Sequence, residues 1–78
     1  MIKIIIADDH AIVRKGLKQI LEDTMEMNVA DEAGNGTELM DKLRKQSFDV
    51  VILDITMPGR SGLDVLKDIK VEFPKLPV

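Results

Sequence analysis

Short apolar blocks alternate along the chain with longer stretches in which apolar residues recur at helical spacing. Ile4–Ala7 is a mostly β-branched run that stops at two carboxylates, Asp8 and Asp9. Apolar on both faces, it predicts a central strand of a buried sheet. From Ala11 to Leu21 the apolar positions are Ile12, Val13, Leu17, Ile20 and Leu21, with Arg14, Lys15 and Lys18 left for the wet face. That spacing predicts a helix. Asn28–Ala33 reads as a weaker strand, and Gly34-Asn35-Gly36 as a turn in which Asn35 or Thr37 caps the next helix. Leu39, Met40 and Leu43 give that helix one apolar face.

Phe48 to Asp54 contains the strongest strand signal, again apolar on both faces and again ending at a carboxylate. The loop Met57-Pro58-Gly59-Arg60-Ser61-Gly62 follows, and Ser61 with Asp64 resembles a capping box in which Asp replaces the usual Glu or Gln. Leu63, Leu66, Ile69 and Phe73 are expected on one face of the third helix, which Pro74 terminates. Leu76-Pro77-Val78 has the character of a lead-in to a further strand. The order β-α-β-α-β-α predicts an α/β fold, a parallel sheet with helices on both faces and right-handed crossovers.

Composition narrows the function classes. The 78 residues are 45% hydrophobic but only 3% aromatic, so the core must be built from Ile, Leu, Val and Met. Net charge is −3 and no Lys/Arg run exceeds two residues, which argues against direct nucleic-acid binding by this segment. Without cysteine there is no thiolate metal site and no thiol nucleophile. The apolar start is too short for a secretory signal or a membrane span, so a cytoplasmic protein without a membrane segment is expected.

The carboxylates carry the chemistry. Ligands of open α/β sheets sit beyond the carboxyl ends of the strands. If the first and third strands are neighbours, Asp8, Asp9 and Asp54 converge there. Three close carboxylates repel unless a cation sits among them, and a hard, oxygen-seeking ion such as Mg²⁺ meets that need. A carboxylate whose charge is so offset can also be a nucleophile toward phosphorus. The residues alone do not say which Asp is attacked. A plainer reading is that polar strand ends and helix caps account for these acids. His10, the lone histidine, is expected to have a structural or tuning role, and Met25, Met27, Met40 and Met57 to be packing or loop residues.

Ile5-Ile6-Ala7-Asp8-Asp9-His10 with Arg14-Lys15-Gly16-Leu17 resembles the opening of CheY-like response-regulator receiver domains. Val50 to Gly59 with Ser61-Gly62-Leu63 resembles their phosphorylation site and the loop after it. The opening looks most like the NarL/FixJ (LuxR-type) subfamily, whose members usually carry a C-terminal helix-turn-helix. The resemblance implies that Asp54 accepts a phosphoryl group from a sensor histidine kinase. It implies that Mg²⁺ is held by Asp9 directly, by Asp8 mainly through water, by Asp54 and by the Thr56 backbone carbonyl, with Pro58 and Gly59 shaping the loop. The Thr56 side chain would tune phosphoryl lifetime.

The family's site is completed by a Ser or Thr and a Lys on later strands, and residues 1–78 are expected to be the N-terminal portion of a receiver, up to the start of its fourth strand, with no second domain. The third strand is then expected to present an unpaired apolar edge, favouring a homodimer or strand-exchanged oligomer. Any DNA contact would come from a missing C-terminal domain. The competing readings are a receiver-like dimerisation module that does not signal by phosphorylation, and an aspartyl-nucleophile phosphatase. The latter commonly places a second Asp two residues after the nucleophile, where this chain has Thr56, so a signalling phosphoacceptor and not an enzyme is expected.

Overall fold

A computed structural model describes every residue except Met25, Pro58 and Arg60. The elements are β1 (Ile2–Ala7), α1 (Ala11–Glu22), β2 (Met27–Ala33), α2 (Gly36–Lys45), β3 (Val50–Leu53) and α3 (Gly62–Glu72). The three strands are parallel in the order β2-β1-β3, so β1 is central, as its two-sided apolar run predicts. Successive side chains of a strand point to opposite faces. Ile5 and Ala7 therefore join Val51, Ala33 and the apolar faces of α2 and α3 in the larger core. Ile4 and Ile6 join Val29 on the other face, against Leu17 and Leu21 of α1. Ile4, Ile5 and Ile6 are all buried, and each burial stabilises the fold by about 1.5–3 kcal/mol.

The caps of α2 and α3 follow the sequence. The Asn35 side chain accepts from the Glu38 N–H at 2.8 Å, and Ser61 Oγ accepts from the Asp64 N–H at 3.3 Å. Helix α3 ends at Glu72, with Phe73 as its C-cap before Pro74.

Three expectations need correction. Among the described residues none of α1 is buried: Leu17 and Leu21 are half-buried, while Ile12, Val13 and Ile20 are exposed. Leu17 and Leu21 attach α1 to the sheet, packing on Ile4 and Ile6 of β1 and Val29 of β2. In α3 the buried residues are Gly62, Val65 and Ile69, not Leu63, which is exposed, or Leu66, which is half-buried. The helix starts hard against the loop after β3, and Val65 and Ile69 join the core formed by α2 and the sheet. Finally, the outer edge of β3 is not wholly unpaired, because the Val51 N–H donates to the Pro77 carbonyl at 2.9 Å. Met40 and Met57 are core residues, whereas the expected packing role of Met25 lies outside the described residues.

Candidate functional site

Adjacent parallel strands deliver the acids to one place. Ala7 pairs with Leu53, so the residues that follow, Asp8 and Asp54, leave the sheet side by side. Backbone bonds continue past the strands: the Asp54 N–H donates to the Ala7 carbonyl at 2.9 Å and the Asp8 N–H to the Ala33 carbonyl at 3.0 Å. Asp8 is buried, Asp54 half-buried and Asp9 exposed. Ligand atoms of Asp8, Asp9, His10 and Asp54 all lie within 4.8 Å of one another. The convergence that the sequence made conditional on neighbouring strands is thus realised.

Each side chain has an identifiable anchor. Asp8 Oδ1 accepts from the His10 backbone N–H at 2.9 Å and contacts His10 Nδ1 at 3.0 Å, and the same ring nitrogen lies 2.9 Å from Asp9 Oδ1. Neither Asp8 nor Asp9 caps α1; His10 occupies the N-cap position and its side chain makes no capping bond. Asp54 Oδ1 accepts from the Thr56 N–H at 3.2 Å and from its hydroxyl at 3.4 Å, which fixes the orientation of that carboxylate. Gly62 closes the loop: its N–H donates to the Ile55 carbonyl at 2.7 Å. A Cβ on Gly62 would lie 2.3 Å from the Asp54 carbonyl oxygen and 2.5 Å from Ile55 Cα, so only glycine permits this approach. Gly59 has φ +83°, a conformation that favours glycine, while the expected contribution of Pro58 lies outside the described residues.

Electrostatics point the same way. Burial pushes the Asp8 carboxyl up, but the His10 backbone N–H, then the His10 ring and its charge, outweigh that and hold it below the ordinary 3.8. The His10 imidazole is raised above its ordinary 6.5, chiefly by its hydrogen bond to Asp8 and next by the charge of Asp9. Three carboxylates therefore face one imidazole. Their donor atoms are the hard oxygens that Mg²⁺ prefers, and the negative charge exceeds what a single imidazolium offsets. The chemistry of the donor set fits a divalent cation.

Two features were not legible as site features. Gly62 read as loop punctuation, although its close approach to the Asp54–Ile55 backbone positions the loop. Arg14 read as a wet-face helix residue, yet its guanidinium donates to the Asp8 carbonyl and, at 3.0 Å, to Glu32 Oε1. Nothing in the spacing of apolar residues signals either contact. Among the described residues no helix is long and apolar enough to cross a membrane.

Residues 4–78 match the family model described as the response regulator receiver domain. The chain is 45% identical over 73 residues to the oxygen regulatory protein NreC of Staphylococcus carnosus, covering 92% of this chain and 34% of that protein. It is 43% identical over 75 residues to a protein-glutamate methylesterase/protein-glutamine glutaminase of Oleidesulfovibrio alaskensis, covering 96% of this chain and 20% of that protein. Its structure is similar to RcsB from Salmonella enterica bound to the promoter rprA with the phosphomimetic BeF3-, at TM-score 0.89 and 39% identity over 95% of this chain and 63% of the other. It is also similar to TrrA of Thermotoga maritima in complex with Mg(2+)-BeF, at TM-score 0.88 and 38% identity over the same shares. The chain thus spans between a fifth and about a third of the curated relatives it matches here. By its family match, its fold and the identity it shares with these proteins, the chain belongs to the response regulator receiver domain family of two-component systems.

Proposed function

We propose that Asp54 is the phosphoacceptor of this receiver and that a sensor histidine kinase is its donor. The observation that carries the reading is the convergence of Asp8, Asp9 and Asp54 at the carboxyl ends of two hydrogen-bonded parallel strands. An oxygen of the Asp54 carboxylate attacks phosphorus. The P–N bond of the partner's phosphohistidine breaks, its electron pair passing to the ring nitrogen. Thr56, holding Oδ1 from two donors, orients the attacking carboxylate and stands where it can influence the lifetime of the acyl phosphate. Asp8, Asp9, Asp54 and the Thr56 backbone carbonyl would hold Mg²⁺. When bound, the ion would offset the charge that builds on the phosphoryl oxygens. A related receiver, TrrA, has been solved with Mg(2+)-BeF, which supports the choice of ion.

In this reading the chain is a signalling phosphoacceptor and not a stand-alone enzyme, and it acts in the cytoplasm. Residues 1–78 form the N-terminal portion of the receiver. The output is transcriptional, through a C-terminal DNA-binding domain, in keeping with the promoter-bound RcsB relative. The segment itself makes no nucleic-acid contact. Exposed Val13 and Ile20 on α1, together with the half-buried Val50 and Ile52 of β3, favour self-association of the 78-residue chain. Light scattering after gel filtration is expected to show a dimer or larger species, and a monomer at all concentrations would refute it.

The test of the acceptor is intact-mass spectrometry after incubation with acetyl phosphate and Mg²⁺. One phosphoryl gain, absent in Asp54→Asn, is expected. A gain that persists in Asp54→Asn would assign the acceptor to another residue.

A further inference from the structure

We propose that Arg14 is a positioning residue for the acidic site, fixing the Asp8–Asp9 turn from outside the carboxylate cluster by tying it to β2; this rests on the cation-binding role given to the site above. The Arg14 guanidinium reaches back from the first turn of α1 to two acceptors. Nη1 donates to the Asp8 backbone carbonyl and Nε donates to Glu32 Oε1 at 3.0 Å. The Arg14 side chain is 20% exposed and its partner Glu32 37%, so the arginine is the more sheltered member of the pair. Asp8 is thereby held on both sides of its backbone, through its N–H to the Ala33 carbonyl and through its own carbonyl to Arg14.

Packing offers no substitute for this clamp. Leu17 and Leu21 attach the far half of α1 to the sheet, whereas Ile12 and Val13 at the near half are exposed. The helix start, and with it the turn carrying Asp8 and Asp9, depends on polar contacts for its place. The charge arrangement is equally specific. Arg14 is matched by Glu32 and touches a carbonyl, not a carboxylate, of the site. It can hold Asp8 without competing for the oxygens that a cation would use. A planar fork is required, because Nε and Nη1 serve two acceptors at once; a lysine, with one compact ammonium, cannot reproduce that geometry.

The experiment titrates the chain with MgCl₂ and follows the backbone amides of Asp9, Asp54 and Ile55 by NMR. The variants are Arg14→Ala, Arg14→Lys and Glu32→Ala, with Arg44→Ala as a control. Arg44 pairs with Glu72 between α2 and α3, so its loss disturbs a surface ion pair elsewhere. Residues that orient ligands typically change metal affinity by about 10–100-fold. Arg14→Ala is expected to weaken Mg²⁺ by at least roughly tenfold, and Arg14→Lys to recover only part of that loss. Arg44→Ala is expected to stay within about twofold of the wild type, which separates positioning from general stability. A folded Arg14→Ala chain with wild-type affinity overturns the proposal. If Arg14→Ala does not fold, Glu32→Ala decides: weakened Mg²⁺ binding supports the clamp and unchanged binding overturns it. A wild-type chain whose amides do not respond to MgCl₂ overturns the cation-site reading itself, and the clamp with it.

Discussion

Gly62→Ala is the most discriminating single change near the site. The added Cβ would stand 2.3 Å from the Asp54 carbonyl oxygen and 2.5 Å from Ile55 Cα. Non-bonded carbon contacts are comfortable at about 3.5–4.0 Å, so the two backbones must separate by roughly 1 Å. Neither side yields cheaply, because both atoms are main chain and the Gly62 N–H to Ile55 carbonyl bond of 2.7 Å joins the two segments. Overpacking of this kind costs about 1–3 kcal/mol. The better helix propensity of Ala, up to about 1 kcal/mol, offsets part of it. For a chain of this size 1 kcal/mol moves Tm by about 4–8 °C, so thermal denaturation is expected to shift downward by several degrees. The kinetic effect separates the two ways of relieving the clash. If α3 retreats, stability falls and the acceptor keeps its place. If the Asp54–Ile55 segment gives way, a misplacement near 1 Å costs about 100-fold in rate, read as phosphoryl gain on Asp54 against time with acetyl phosphate and Mg²⁺. The second outcome is expected, since α3 is anchored by buried Val65 and Ile69 while the loop is half-exposed. A variant with unchanged Tm and a phosphorylation rate within twofold of the wild type would refute the argument.

Other expectations follow from individual contacts. Asn35→Ala removes the acceptor of the Glu38 N–H and is expected to cost about 1 kcal/mol, seen as a lower denaturation midpoint with unchanged m-value. Ile5→Ala empties a fully buried position of the central strand and is expected to cost about 2–5 kcal/mol, enough to lose the cooperative transition of so small a domain. Asp31 supplies one pH dependence. Burial pushes its carboxyl up, but the Lys42 ammonium at 2.8 Å, the Glu32 N–H and Gln46 hold it below the ordinary 3.8. A group lower in the folded than in the unfolded chain adds stability that is present above about pH 4 and lost as pH falls through its folded value. Thermal melts of wild type and Asp31→Asn are therefore expected to differ at pH 6 and to converge toward pH 3; a constant gap would refute the assignment.

What was legible in the sequence, and what was not, divides along a physical line. Short apolar runs ending at Asp8 and Asp54 announce buried parallel strands whose ends face one ligand site, and Asn35 and Ser61 announce helix starts through local hydrogen bonds. These signals are contained within a few residues. The face a helix buries is not. In α3, Leu63, Leu66 and Ile69 make a plausible apolar face, yet Val65 and Ile69 are the side chains buried, on a helix whose first residue, Gly62, sits against the Asp54–Ile55 backbone. In α1 the periodicity finds an apolar stripe but cannot say how much of it has something to pack against. The reach of Arg14 is hidden for a related reason. Helical side chains lean toward the N-terminus, so a residue spaced for the wet face can still fold back onto the turn that precedes the helix.

The two sides of the acidic site are consequently held by different forces. Asp54 follows a strand whose core face packs Val51 against α2 and α3, and its loop is pinned by Gly62 and by the two donors of Thr56. Asp8 and Asp9 lead into a helix that buries none of its residues among those described. On that side placement falls to hydrogen bonds: the Ala33 carbonyl, the His10 N–H and the Arg14 fork. Apolar packing is insensitive to charge, whereas these polar anchors surround a buried carboxylate. Perturbations of the core should therefore lower stability without altering how the site responds to a cation. Perturbations of the polar anchors should alter that response while leaving most of the core intact. A core variant such as Val51→Ala that stays folded yet weakens Mg²⁺ as strongly as Arg14→Ala would show that the two halves are not separable in this way.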